Sequence, residues 1–134
     1  MQLEVVTPKG KLVELAVDEV TAPGAAGEFG VLPGHVPLLT GLRPGVVSYR
    51  SGSTSGALAI GKGFAEVIGD RVVILVDVGA RPEQIDAAAA QRDVQTAQQE
   101  LDTLGDDVGA RAAIDERRAW AQAQLDAVSR TTAH

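Results

Sequence analysis

The chain has 134 residues, 45% of them hydrophobic and 3% aromatic, and a formal net charge of −6; that length allows one ordinary domain or two small ones. The acidity argues against nucleic acid, the few aromatics argue against stacking on bases or sugars, and the lack of cysteine excludes disulfides, thiolate metal sites and cysteine nucleophiles. No run approaches the ~20 uninterrupted apolar residues that cross a bilayer, and the first residues read as a strand and a turn rather than a signal segment, so a cytosolic chain is expected, touching a membrane only through another protein.

Residues 1–81 hold 13 of the 15 glycines, 5 of the 6 prolines and 14 valines, against 3 valines afterwards. β-branched runs punctuated by Gly and Pro predict short strands joined by turns. In chain order these are Leu3–Val6, a turn at Pro8-Lys9-Gly10, Leu12–Val17 running into Val20–Ala22, and Gly45–Arg50. A polar loop over Ser51–Gly56 follows, then a return strand at Ala57–Ile60. Phe64–Ile68 and Val72–Val76 flank Gly69-Asp70, the pair expected of a two-residue hairpin turn. Such strands without intervening helices predict an antiparallel β-sandwich or flattened barrel over residues 1–81.

Residues 82–134 hold 13 alanines and no proline after Pro82, which favours helix. Pro82 suits a first helical turn, and Glu83 and Asp86 suit its positive end. Ala87, Ala90, Val94, Ala97, Leu101 and Leu104 recur at spacings of 3, 4, 3, 4 and 3, a coiled-coil seam of mostly small residues. The segment Gly105–Gly109 breaks the pattern, and Ile114, Arg118, Ala121, Leu125 and Val128 supply a matching seam. The fold class is therefore α+β, a β-sandwich followed by an antiparallel helical hairpin. That hairpin is weakly held, because alanine buries little area, Arg118 sits on the seam, and the segment carries 5 basic against 10 acidic residues.

Little catalytic chemistry is available. His35 and His134 lie far apart, and His35 has no neighbouring nucleophile or orienting acid, so a structural or interface role is expected for it. Gly61-Lys62-Gly63 lacks the spacer, the Ser/Thr and the helix start of a phosphate loop. Asp106-Asp107 reads as solvated loop acids rather than a metal site, and Trp120 beside Arg117 as packing.

The most informative stretch is Gly27–Thr40, with three glycines and two prolines between residues 27 and 37. It predicts a stiff surface loop displaying Phe29, Val31 and Leu32, a candidate protein-binding site. This stretch, with Leu32-Pro33-Gly34-His35-Val36-Pro37-Leu38-Leu39-Thr40 and then Pro44-Gly45, resembles the epsilon-subunit family of bacterial F-type ATP synthases. Gly63–Val67 with Val72–Asp77, and Ile85-Asp86 at the head of an alanine-rich helix, extend the resemblance over nearly the whole chain.

The resemblance implies about ten strands and a non-catalytic place in the central stalk. The site would join the gamma subunit to the membrane-embedded c-ring at the cytoplasmic face of the bacterial cell membrane. It implies Glu28, Phe29, Val31, Leu32 and His35 at the c-ring, and Thr7 and Thr40 at gamma. It also implies that the helical tail opens and extends beside gamma into the catalytic alpha/beta head, where it inhibits ATP hydrolysis. An arm over residues 83–130 would reach about 70 Å at 1.5 Å per residue, with Arg111, Arg117 and Arg118 as its contacts. No cofactor is implied. Some members bind ATP through an Ile-Asp-x-x-Arg-Ala motif. Here Ile85 and Asp86 are present, but Ala89 replaces the arginine and its charge-assisted phosphate contacts. The rival reading, from residues alone, is a stand-alone small-molecule-binding protein or minor enzyme on a small β-barrel.

Overall fold

The structure is a computed structural model and describes residues 1–132, with side chains through Arg130; His134 lies outside the described residues. Ten strands come first: β1 Gln2–Thr7, β2 Gly10–Ala16, β3 Glu19–Gly24, β4 Gly27–Val31, β5 Leu38–Leu42, β6 Gly45–Ser51, β7 Thr54–Ile60, β8 Gly63–Ile68, β9 Arg71–Val76 and β10 Gly79–Ala80. A 3-10 turn at Pro82–Gln84 leads into α1 Ala87–Thr103 and α2 Val108–Thr132.

The strands form one sheet in the order β10-β7-β6-β3-β5-β8-β9-β1-β2, with β4 paired to β3. Between β3 and β5 the ladder is a single pairing, Gly24 opposite Leu42. There the sheet folds over into two layers, one holding β10, β7, β6, β3 and β4 and the other β5, β8, β9, β1 and β2. Period-2 alternation sends Val20, Val47, Leu58 and Ile60 inward from the first layer. Leu3, Val5, Ala65, Val67, Val72 and Ile74 meet them from the second. At the open seam between β10 and β2, Arg81 spans the gap, donating from a terminal nitrogen to the Leu12 carbonyl at 3.2 Å.

Two details differ from the sequence expectation. The sheet contains a parallel pair, β1 with β9; these strands lie at opposite ends of the β-region, so no hairpin constrains their direction. The Ser51–Gly56 loop is also shorter than expected, because β6 and β7 continue to Ser51 and Thr54. The Gly52-Ser53 turn is tied down by Asp18, which accepts from the Gly52 N–H at 2.7 Å, and Ser51 donates to the Ala16 carbonyl at 2.9 Å. The Gly69-Asp70 turn is as predicted, with Gly69 at φ 55°.

Asp86 caps α1 by accepting from the Ala89 N–H at 3.0 Å, and Asp107 does the same at the head of α2 for the Ala110 N–H at 3.0 Å. Ala90, Ala97, Leu101 and Ala121 are buried in the predicted seam. A second stripe on α2, Trp120, Ala123 and Ala127, packs against Val46, Ala57 and Ala59 on the outer face of the first layer, joined by Ile85. The tail is thus docked, with α2 between the sheet and α1.

Two consequences can be measured. A Cβ on Gly63 would collide with the Leu75 carbonyl and the Val76 Cα, so Gly63→Ala should cost about 1–3 kcal/mol in urea unfolding. Gly30→Ala, whose nearest neighbour lies at 4.0 Å, should stay within about 0.5 kcal/mol. Ala123→Asp places a charge in the docking cluster. It should release the tail, seen as a red-shifted and more quenchable emission from Trp120, while the β-region keeps its cooperative unfolding.

Candidate functional site

The Gly-rich stretch is only partly a loop. Its first half is β4, where alternation sorts the side chains that the sequence reading placed together. Phe29 and Val31 turn inward; Val31 is fully buried, and Phe29 is half-buried against the core. This overturns the expectation that they are displayed, since pairing of Phe29 with Ala22 and Val31 with Val20 faces them to the core. Glu28 pairs with Pro23 on the opposite face and is 57% exposed.

The true tip is the segment from Leu32 to Pro37. Leu32, Pro33, Gly34 and His35 form a turn closed by the His35 N–H on the Leu32 carbonyl at 3.1 Å. Pro33 occupies the second position and Gly34, at φ 84°, the third, the arrangement of a type II turn. The His35 Nδ1 lies 2.6 Å from the Val36 carbonyl; a carbonyl only accepts, so Nδ1 carries the proton. Leu32 and Val36 project outward, 56% and 70% exposed. The tip therefore presents two apolar side chains on a turn stiffened by proline and by that hydrogen bond.

The outer face of the second layer is a second exposed surface. Gly41, Phe64, Leu75 and Val6 lie side by side across β5, β8, β9 and β1. Phe64 and Leu75 are 62% and 52% exposed, and Leu39, one alternation from Gly41 on β5, is 70% exposed. Glu66 stands opposite Leu39 on the same face; around it, exposed apolar side chains of this kind mark protein-binding surfaces. The sequence reading missed Leu39, Phe64 and Leu75 as contact residues. For Leu75 the signal was present in the uninterrupted apolar run Val72–Val76, which leaves neither side of β9 polar.

Thr7 and Thr40 do not project from this face. Thr7 is buried, accepting from the Lys9 N–H at 3.1 Å and donating to the Gly10 carbonyl at 3.3 Å. Thr40 is half-buried opposite the buried Ala65 and donates to the Gly41 carbonyl at 3.3 Å. Thr7 braces the end of β1 beside the face, and Thr40 lies within β5 on the core side. Lys11, on β2, belongs to neither tip nor tail; its hydrogen bond to Glu14 and that residue's charge hold its pKa above the ordinary lysine value.

In the docked tail all three arginines singled out in the sequence point at α1. Arg111 donates to the Leu101 carbonyl at 3.2 Å, Arg117 pairs with Glu100 at 2.7 Å, and Arg118 donates to Gln98 Oε1 at 2.7 Å. Ile85 and Asp86 have local duties, Ile85 in the docking cluster and Asp86 as the α1 cap. Beside the end of α2 lies a cavity of about 700 Å³ lined by Ser48, Tyr49, Arg50, Arg81 and Arg130 among others. Its arginines are balanced locally by Asp18, Glu19, Glu83 and Glu28.

Residues 1–82 match the family profile of the ATP synthase delta/epsilon chain beta-sandwich domain. An ATP synthase epsilon chain of Magnetococcus marinus is 42% identical over 128 residues, covering 96% of this chain and 93% of that protein. ATP synthase epsilon chain 2 of Syntrophotalea carbinolica is 45% identical over 104 residues, 78% of this chain and 75% of that protein. Among solved structures, a chain in the Euglena gracilis mitochondrial ATP synthase, OSCP/F1/c-ring, has the same fold at a TM-score of 0.80 and 22% identity, covering 95% of this chain and 79% of that one. A chain in the Tetrahymena thermophila mitochondrial ATP synthase central stalk and c-ring aligns at a TM-score of 0.64 and 17% identity, covering 96% of each. With the profile over its β-region and relatives of this identity over most of its length, the chain belongs to the ATP synthase epsilon chain family.

Proposed function

We propose that the chain is a non-catalytic rotor subunit in the central stalk of an F-type ATP synthase, peripheral at the cytoplasmic face of the membrane. The observation that carries this reading is a pair of unpartnered apolar surfaces on one sandwich: the tip with Leu32 and Val36, and the second-layer face with Phe64, Leu75 and Leu39. A part that only bound a small ligand has no use for two such surfaces, whereas a part that transmits torque must grip two neighbours. The face seats gamma, and the tip, with His35 at its turn and Glu28 on the strand leading to it, seats the c-ring. Thr7 and Thr40 hold the gamma-facing strands in shape from beneath.

The tail supplies the regulation. In the docked state it occupies the outer face of the first layer, and Arg111, Arg117 and Arg118 are spent on α1. The Arg117 and Arg118 bonds are exposed contacts, the Arg117–Glu100 pair worth up to about 1 kcal/mol, Arg111 adds one partly buried bond to the Leu101 carbonyl, and the seam beneath is built largely of alanine. Extension along gamma frees the three guanidinium groups for acidic loops of the alpha/beta head and blocks hydrolysis there. The shift needs only a few kcal/mol of differential binding. Nucleotide is not required for this cycle, since Ala89 leaves the Ile85-Asp86 motif without its phosphate-binding arginine.

Two experiments separate the parts. Replacing Phe64 and Leu75 with serine should abolish co-purification with gamma while leaving the isolated chain folded. Undiminished co-purification would remove gamma from that face. Truncation after Arg81, measured in the assembled complex, should raise ATP hydrolysis several-fold. An unchanged rate with assembly intact would refute the brake and leave the β-region as the whole working part.

A further inference from the structure

The end of α2 reaches past the docking cluster to β4, the strand that carries the tip. Arg130 donates to Ser48 Oγ on β6 at 3.3 Å, and its other terminal nitrogen stands 4.0 Å from Glu28 Oε2. Glu28 is on the tail side because alternation along β4 turns Phe29 and Val31 to the core. Both partners are about half exposed, at 45% and 57%, so the pair is accessible to a competitor. Glu28 is also the acidic residue on the strand that ends at Val31, immediately before the exposed Leu32.

From this geometry we infer that Glu28 is shared between two partners, Arg130 of the docked tail and whatever the tip engages, so that tail docking and tip engagement oppose each other. The inference rests on the reading of the tip as the c-ring contact. A basic or amide group that draws Glu28 toward the tip's partner takes it from Arg130 and weakens the hold on the end of α2. By linkage, a docked tail weakens tip binding by the same factor. An exposed pair of this length shifts the docked-to-released ratio by about two- to fivefold. Arg130 is a positioning residue for the tail, with Ser48 as its fixed anchor and Glu28 as its exchangeable one.

The chain has one tryptophan, in the docking cluster, so full-length chain labelled with 5-fluorotryptophan reports docking through one fluorine resonance per state, even inside an unlabelled complex. In the isolated chain, Glu28→Gln and Arg130→Gln should each raise the released population about two- to fivefold. The exchange Glu28→Arg with Arg130→Glu should restore it. Detergent-solubilised c-ring should release the tail of the unaltered chain and have no such effect on Glu28→Gln. A Glu28→Gln chain as docked as the parent, or an exchange that fails to restore docking, overturns the shared pair. If the exchange restores docking but the c-ring does not bind, the ion pair stands and the functional reading of the tip falls, together with the competition built on it.

Discussion

The architecture depends on the pairing of Gly24 with Leu42, where the sheet turns from one layer to the other. β3 pairs with β6 near its start, with β4 along its length and with β5 only at its last residue. A side chain at that last position would strike the Gly27 carbonyl at 2.6 Å and the Phe29 ring at 2.9 Å, so the fold-over is closed on glycine. Because β4 and β5 then belong to different layers, the tip between them is anchored to both. A load applied to Leu32 or Val36 passes into the whole sandwich rather than into one hairpin.

The fold-over also fixes two outer faces pointing away from each other. The inner faces are sealed by valine, leucine and isoleucine, while the outer faces differ in what they offer. Around Val46, Ala57 and Ala59 the first layer is nearly flat, and only a helix with small residues of its own lies close against it. Ala123 and Ala127 meet that requirement, and Trp120 packs against the same cluster and walls the crevice left beside Pro44, Gly61 and Val78. The second layer instead projects Phe64 and Leu75, which suit a partner with depressions. Tail docking and the second-layer surface therefore do not compete for space.

Much of this was legible in the sequence, and the omissions share a cause. Strands, the Gly69-Asp70 turn and the α1–α2 seam follow from spacing, since their residues differ strongly from their neighbours. In Gly27–Val31 the density of glycine suggested loop, although the alternation of Glu28 and Gly30 with Phe29 and Val31 was already that of a half-buried strand. On α2 the seam Ile114, Arg118, Ala121, Leu125 and Val128 stood out, whereas Glu116, Trp120, Ala123, Ala127 and Arg130, spaced by 4, 3, 4 and 3, did not. Alanine is apolar enough to bury yet too small to contrast with polar neighbours. An alanine-rich helix therefore hides a second contact face. Leu75 was hidden for the opposite reason: in the run Val72–Val76, apolar on both sides, core and contact residues look alike.

The layering of the tail imposes an order on its release. α1 packs on α2, and α2 packs on β6 and β7, so the hairpin can leave the sheet without coming apart. Undocking alone exposes Val46, Ala59 and Trp120 but leaves Arg111, Arg117 and Arg118 bound to α1. Presenting those arginines elsewhere requires a second step that splits the seam of Ala90, Ala97, Leu101 and Ala121. The linker constrains that step, because Arg81 is held to Leu12 and to Glu83 and Gln84 accepts from its N–H. α1 must therefore pivot from a point fixed on the β-region. On the proposed reading of the tail as a brake, the arm would pass through a closed, undocked hairpin, and a partner that captured that intermediate would hold the tail free of the sheet with its arginines still on α1.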